Sequence, residues 1–397
     1  MMPTAPAAPR DLRVDFIRGL ALIFIYWDHI PGNLLGYVTL RNIGFSDAAE
    51  IFVFLAGYAA ALGYGKRLVQ AGYFNTALHI LRRSWILYIA HVFLLAQLMA
   101  LIFIANSYVE TRDFVQEAGL SYFVANPDLA LVNALLLRFK PGLMDPLPLY
   151  IVLLIALAAL LPAVKRHPLL TLTCSGIIYS LALQKHWNFN AQPAGVWFFN
   201  PLAWQFLFFL GAAAGLHRQA FTTAYYSLGK YWRTGLLSAA LLFLMAAAVT
   251  ALAWNWPQWH DSWMPQWLAQ RLYPISKTNL GLVRLLHFLA LAYVVALLLP
   301  QGNWLRSRLA QAIRLMGRHS LVVFCLGVLL APIADTINTL AGDGVIVQLA
   351  TSLGACAVMW VAAFLPEWYH QQQRIRHSAT AVAASPLAAS GEPLAPH

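Results

Sequence analysis

An arginine, a histidine and three carboxylates (Arg18, Asp28, His29, Asp47 and Glu50) stand in otherwise apolar surroundings, "RGLALIFIYWDHIPGN" from residue 18 and "GFSDAAEIFVFLAGY" from residue 44. An imidazole steadied by a carboxylate is the usual general base near neutral pH, its tautomer set by whatever holds the second ring nitrogen. Asp47 and Glu50 are spaced i, i+3, so a helix presents both on one face. Arg18 and His29 are separated by eleven steps, which on a helix is about 16 Å along the axis and almost the same azimuth. A charged group in the middle of a bilayer costs roughly 2.5–3.5 kcal/mol on insertion scales, so pairing or function must offset it. Two readings stand side by side. One is a polar network that locks two helices together. The other is a general base, His29, held by Asp47 or Glu50, with Asp28 as a further neighbour or a solvent-facing helix end.

The elements that must carry these groups follow from composition. The chain has 397 residues, 60% hydrophobic and 10% charged, against about a quarter charged in soluble domains. Apolar runs of bilayer length recur, and helices are the form in which such runs satisfy their own backbone. The fold class is all-α: a polytopic integral membrane helical bundle. The spans number about ten, roughly 16–36, 44–64, 80–105, 146–164, 168–184, 197–216, 235–254, 281–300, 319–340 and 345–365. Residues 129–139 are too short to cross and are expected on the surface or re-entering. Residues 1–10 and 371–397 are Pro/Ala- and Ala/Ser/Pro-rich and are expected to be disordered tails around a domain of residues 11–370. No cleavable signal peptide is evident, so the first apolar run is expected to be kept as a span.

Orientation comes from the basic residues. One set of loops holds Arg10, Arg13, Lys66, Arg67, Arg82, Arg83, Lys165, Arg166, Arg218, Lys230, Arg233, Arg306, Arg308, Arg314, Arg318, Arg374 and Arg376. The alternate loops hold most of the acidic residues, among them Glu110, Asp113, Glu117, Asp128, Asp145, Asp261 and Asp343. The basic side is cytoplasmic by the positive-inside rule, and both termini lie there. The net charge of +11 is then topology, and nucleic acid is not expected as a partner. Cys174, Cys325 and Cys356 lie far apart in apolar stretches, and the twelve histidines show no ligand spacing, so no metal site is expected. His29 would sit toward the outer leaflet, level with Asp47 and Glu50 across a short hairpin. Ala56 and Gly57 let a neighbouring backbone approach closely. Arg284 and His287, spaced i, i+3, read equally as an outer anchor and as a ligand-binding pair, with Lys277 nearby. "NWPQWHDSWMPQW" at 255–267 is rich in tryptophan, which favours the membrane interface and sugar rings.

The Arg18-to-His29 spacing resembles the signature of the acyltransferase-3 group of transmembrane acyltransferases. The longer string "DLRVDFIRGLALIFIYWDHIPGN" from 11 is similar to the OpgC branch, the succinyltransferases of osmoregulated periplasmic glucans. So are "MDPLPLYIVLL" from 144, "NPLAWQFLFFLG" from 200, "KTNLGLVRLLHF" from 277 and "GRHSLVVFCLG" from 317. The likeness covers nearly the whole chain apart from both tails. It implies a multi-pass protein of the bacterial inner membrane that moves an acyl group, succinyl by the branch name, from cytoplasmic acyl-coenzyme A to hydroxyls of a periplasmic glucan. The family arginine falls on Arg18, the histidine on His29 and the acidic positions on Asp47 and Glu50. Coenzyme A phosphates are then expected near Arg83 and Arg318, with Arg82, Arg314 and His319 on the same side. Asp145, Lys277, Arg284 and His287 are the expected contacts to substrate, with Tyr150 beside Asp145. Asn42, Ser46 and Tyr58 are candidates for stabilising an oxyanion. The rival reading is a transporter or flippase for an anionic or carbohydrate substrate, although no second Arg-to-His pattern marks a repeated half. The oligomeric state is not legible.

Overall fold

The computed structural model describes residues 11–383 and is helical throughout, with no strand among the described residues beyond one isolated bridge between Asn190 and Val196. Helix α1 (Leu12–Asp28) starts on Asp11, whose carboxylate accepts the Arg13 backbone N–H, and ends at His29, with Pro31 and Gly32 unable to continue it. Two short 3-10 turns, Leu34–Val38 and Leu40–Asn42, fill the hairpin. Helix α2 (Ala48–Tyr108) opens with a capping box: Asp47 accepts from the first turn, and Glu50 accepts the Asp47 N–H at 2.8 Å.

Helix α2 has 61 residues but is not one rod. Gly72 (φ 76, ψ 175) breaks it. The Tyr64 and His79 rings, on either side of the break, lie 6.0 Å apart. A straight helix would separate their positions by about 22 Å, so α2 folds back at Gly72 into two arms. Short helices α3 (Phe114–Glu117), α4 (Ser121–Ala125) and α5 (Pro127–Leu135) follow. The end of α5 reaches the second arm of α2, where the Tyr88 hydroxyl donates to the Leu135 carbonyl at 2.9 Å.

Helices α6 (Pro146–Arg166), α7 (Pro168–Lys185) and α8 (Pro201–Leu216) each carry proline in the first turn, where no N–H is missed. Then come α9 (Arg218–Ser227), α10 (Lys230–Ala253), α11 (Pro257–Trp263), α12 (Gln266–Leu272), α13 (Leu282–Leu298), α14 (Arg308–Arg318), α15 (Ser320–Leu340) and α16 (Val345–Ala383). Helix α16 thus runs into the stretch from 371 expected to be disordered; the other parts of both expected tails, 1–10 and 384–397, lie outside the described residues.

Among the described residues, five helices are long and apolar enough to cross a membrane: α2, α6, α10, α15 and α16 up to Tyr369. Helices α8 and α13 are shorter and apolar. Large apolar side chains such as Phe74, Leu169 and Ile346 face outward, the pattern expected when the surroundings are lipid. Inside, small residues let backbones touch. A side chain at Gly57 would strike the Phe208 carbonyl, and one at Gly211 or Gly215 would strike the carbonyl of Phe54 or Tyr58, so α2 and α8 cross without intervening side chains. Gly19 and Gly317 do the same for α1 and α14.

Candidate functional site

His29 stands at the end of α1. Its Nδ1 pairs with the backbone carbonyl oxygen of Ile25, one turn back. With Nδ1–H donating to a carbonyl, the lone pair resides on Nε2. The ring lines a narrow cavity of about 10 Å³, room for about one water, together with Leu22, Tyr26, Leu143, Phe324 and Gly327. Val323 and Val328 border the same space, so His29 lies level with the first half of α15. The charges of Asp47, Lys277 and Arg41 act on both His29 and Asp28. Asp28 itself accepts the Thr39 hydroxyl at 2.6 Å.

The carboxylates expected to hold His29 are engaged elsewhere. Arg284 donates from Nε to Glu50 Oε1 at 2.7 Å and from Nη2 to Asp47 Oδ2 at 3.1 Å. Lys277 Nζ lies 2.6 Å from the same Asp47 oxygen. Two buried carboxylates therefore meet two cations, and charge balance replaces the expected His29–carboxylate bond. Ser46 bonds to His287 Nδ1 at 2.7 Å, and Gly44 packs against the His287 ring. Arg284 and His287 do share a face, as their spacing predicts, but both clamp the 44–50 hairpin from within and are buried. Lys277 keeps 32% of its side chain exposed. Its loop is held by Trp204 Nε1, which donates to the carbonyls of Lys277 and Thr278, and by the Asn200 N–H on Thr278. Of the oxyanion candidates, Ser46 is taken by His287 and the Asn42 amide donates to the Gly36 carbonyl at 2.7 Å. Tyr58 lies on the α2–α8 crossing.

Arg18 donates from Nη2 to the Leu55 carbonyl at 2.9 Å, joining α1 to the first arm of α2. Its charge and that of Arg83, on the second arm, both act on Tyr150 of α6. Arg18, Tyr150 and Arg83 therefore converge from three elements, a grouping the spacing alone did not give. Arg318 lies 3.7 Å from Asp15 and 3.6 Å from Glu367. Asp145 lies 3.9 Å from Lys140 Nζ.

Sequence reasoning passed over Lys140 and His91. Lys140 sits in the loop between α5 and α6, with its ammonium 3.7 Å from the centre of the Trp197 ring. Burial pulls it down to about 8, against the opposing pull of Asp145. His91, in the second arm of α2, is wholly buried with neither ring nitrogen hydrogen-bonded. Lys140 lies in a run, "LRFKPGLMD", whose only local signal is its Pro-Gly turn. Among the described residues no cluster of three or more His, Cys, Asp or Glu could hold a metal ion.

Comparison with curated proteins and with solved structures found no match. A family model described as OpgC protein matches residues 10–371, nearly the whole chain. The chain therefore belongs to the OpgC family.

Proposed function

We propose that this protein is a membrane-embedded O-acyltransferase that carries an acyl group, succinyl in the first instance, from cytoplasmic acyl-coenzyme A to hydroxyls of a periplasmic glucan. Membership of the OpgC family implies a membrane acyltransferase-type function. The observation that carries the reading is His29: an imidazole with Nδ1 fixed by a backbone carbonyl, lining a narrow cavity between α1 and α15 inside the bundle. In this reading the spans are α1, the two arms of α2, α6, α7, α8, α10, α13, α15 and α16. Both termini then lie on the basic, cytoplasmic side of the inner membrane.

A sugar hydroxyl is a poor nucleophile until a base takes its proton. His29 Nε2 takes that proton as the oxygen attacks the thioester carbonyl, typically a gain of about 10²–10⁴-fold. The tetrahedral centre collapses, the carbon–sulfur bond breaks, and the imidazolium returns the proton to the departing thiolate. The products are an ester and free coenzyme A. Fixing Nδ1 to the Ile25 carbonyl does what a carboxylate does in a triad: it selects the tautomer and aims the ring. Asp47, Glu50 and Arg284 act one step back, holding the hairpin that covers His29. In this reading Arg83 and Arg318 meet coenzyme A phosphates, Asp145 and Lys277 meet the glucan or the acyl group, and His287 supports the hairpin through its bond to Ser46.

The test compares His29→Asn with wild type in cells, reading periplasmic glucans by mass spectrometry. The Asn amide can still donate to the Ile25 carbonyl but cannot serve as a base. The expected result is normal accumulation in the membrane with glucan substitution lost. Wild-type substitution by the variant overturns the base.

A further inference from the structure

Two residues shape the cavity opposite His29: Leu143, which also packs against the core, and Gly327. Leu143 reaches the cavity from the loop between α5 and α6 with φ 74, the left-handed region that leucine rarely adopts. Leu137 of the same loop has φ 59. The loop is held on both sides of Leu143: the Gly142 N–H donates to the Ala118 carbonyl at 2.9 Å, and Phe139 and Met144 are buried. A bulky side chain is thus kept in a costly backbone position while bordering the imidazole, and strain of this kind clusters where function requires it.

Across the cavity stands Gly327, in the body of α15. Unlike Gly19, Gly57 or Gly317, it makes no close backbone crossing. A Cβ there would meet only Met359 Sδ at 3.5 Å and Tyr26 Cβ at 3.8 Å, ordinary contacts. Its φ is helical, so neither conformation nor helix contact requires glycine, which weakens a helix interior relative to alanine. What the missing side chain preserves is space beside His29.

We propose that Leu143 and Gly327 together gauge the acyl group presented to His29, Leu143 setting the limit and Gly327 the remaining room, so that only acyl groups a few carbons long fit. The inference rests on the acyl-transfer reading. The walls apart from His29 are apolar or aromatic, which suits methylenes. The free space beside His29 is about 10 Å³, one water's worth, so each methylene that enters must displace a wall, and Leu143 and Gly327 are the walls that decide how many can. One methylene too many in such a pocket costs roughly 10–200-fold in discrimination.

The experiment uses membrane vesicles carrying the full chain, glucan acceptor and an equimolar mixture of acetyl-, succinyl- and hexanoyl-coenzyme A, with products read by mass spectrometry. Wild type is expected to transfer short groups and exclude hexanoyl. Leu143→Gly, which relieves the backbone strain as it removes the wall, is expected to raise the hexanoyl-to-succinyl ratio at least about tenfold. Gly327→Ala is expected to lower the succinyl-to-acetyl ratio several-fold, and decides the matter should Leu143→Gly fail to accumulate. Product ratios in accumulating variants equal to wild type, or ready hexanoyl transfer by wild type, overturn the gauge while leaving acyl transfer in place. No transfer of any of the three by wild type overturns the acyl-transfer reading, and the gauge with it.

Discussion

Arg284 and Glu50 form a buried ion pair, Nε to Oε1 at 2.7 Å, that ties the start of α13 to the first turn of α2 across 234 residues of sequence. Removing one member of such a pair leaves the other charge buried without its partner, at a cost of about 3–5 kcal/mol. Arg284→Met is therefore expected to lower the thermal unfolding midpoint in detergent sharply. Combining it with Glu50→Leu removes the stranded charge, so the double variant is expected to unfold at a higher temperature than Arg284→Met alone. A double variant as weak as the sum of the two single variants would show that the pair is not coupled.

The α2–α8 crossing makes a second, purely steric prediction. A Cβ at Gly211 would collide with the Phe54 backbone carbonyl, which cannot rotate away. Gly211→Ala is expected to destabilise by about 1–3 kcal/mol. Gly63, on the same arm of α2 as Phe54, has nothing near its missing Cβ, so Gly63→Ala is expected to be neutral or stabilising by up to about 1 kcal/mol. Thermal midpoints of the two variants in one detergent check the contrast.

Lys140 supplies a pH dependence. Its side chain is 3% exposed, and burial lowers its folded-state value from 10.5 to about 8. Between those values the unfolded chain binds the extra proton, so this residue's contribution to stability falls as pH drops from 10.5 to 8 and is flat below. The full span is at most about 3 kcal/mol, less whatever the Trp197 ring returns to the charged form. The gap in thermal midpoint between Lys140→Met and wild type is expected to narrow from pH 8 to pH 10. A constant gap over that range contradicts the assignment.

These residues also mark where sequence was readable. Periodicity locates the apolar helices because burial in lipid or in the bundle repeats along each one. Arg284 and His287 read as one face, and both do meet the 44–50 hairpin. The D-x-x-E of 47–50 is ambiguous by nature: the same spacing makes a capping box and a carboxylate pair for a base. What decides is Arg284, far along the chain, and no local pattern carries that contact. His29 takes its orienting partner from a carbonyl four residues back, and a backbone group carries no residue-type signal. The reversal within α2 depends on the single φ of Gly72, in a stretch that reads as helical on both sides. The strained φ of Leu143 has no sequence signature at all, since leucine is not a residue that announces a left-handed turn.

Arg318 separates a structural from a binding role on the basic side. Its contacts to Asp15 and Glu367 are long, 3.7 and 3.6 Å, and 30% of its side chain is exposed. Glu367 is 39% exposed, and a pair of that kind contributes about 0–1 kcal/mol; Asp15 is 3% exposed but stands at the longer distance, so Arg318→Gln is expected to lower the unfolding midpoint only modestly. A phosphate offers more charge and a planar fork-to-oxygen match that a distant carboxylate does not. If the 3′-phosphate of coenzyme A is that partner, Arg318→Gln is expected to raise KM for succinyl-coenzyme A about tenfold while kcat stays within about twofold, the signature of lost uniform binding. The same substitution is expected to leave KM for the 3′-dephospho donor unchanged, because the contact is absent from the start. Initial rates with the two donors check both halves. An equal rise in KM for both would place Arg318 away from that phosphate, and a lowered midpoint with KM intact would assign it to holding α1 against α16.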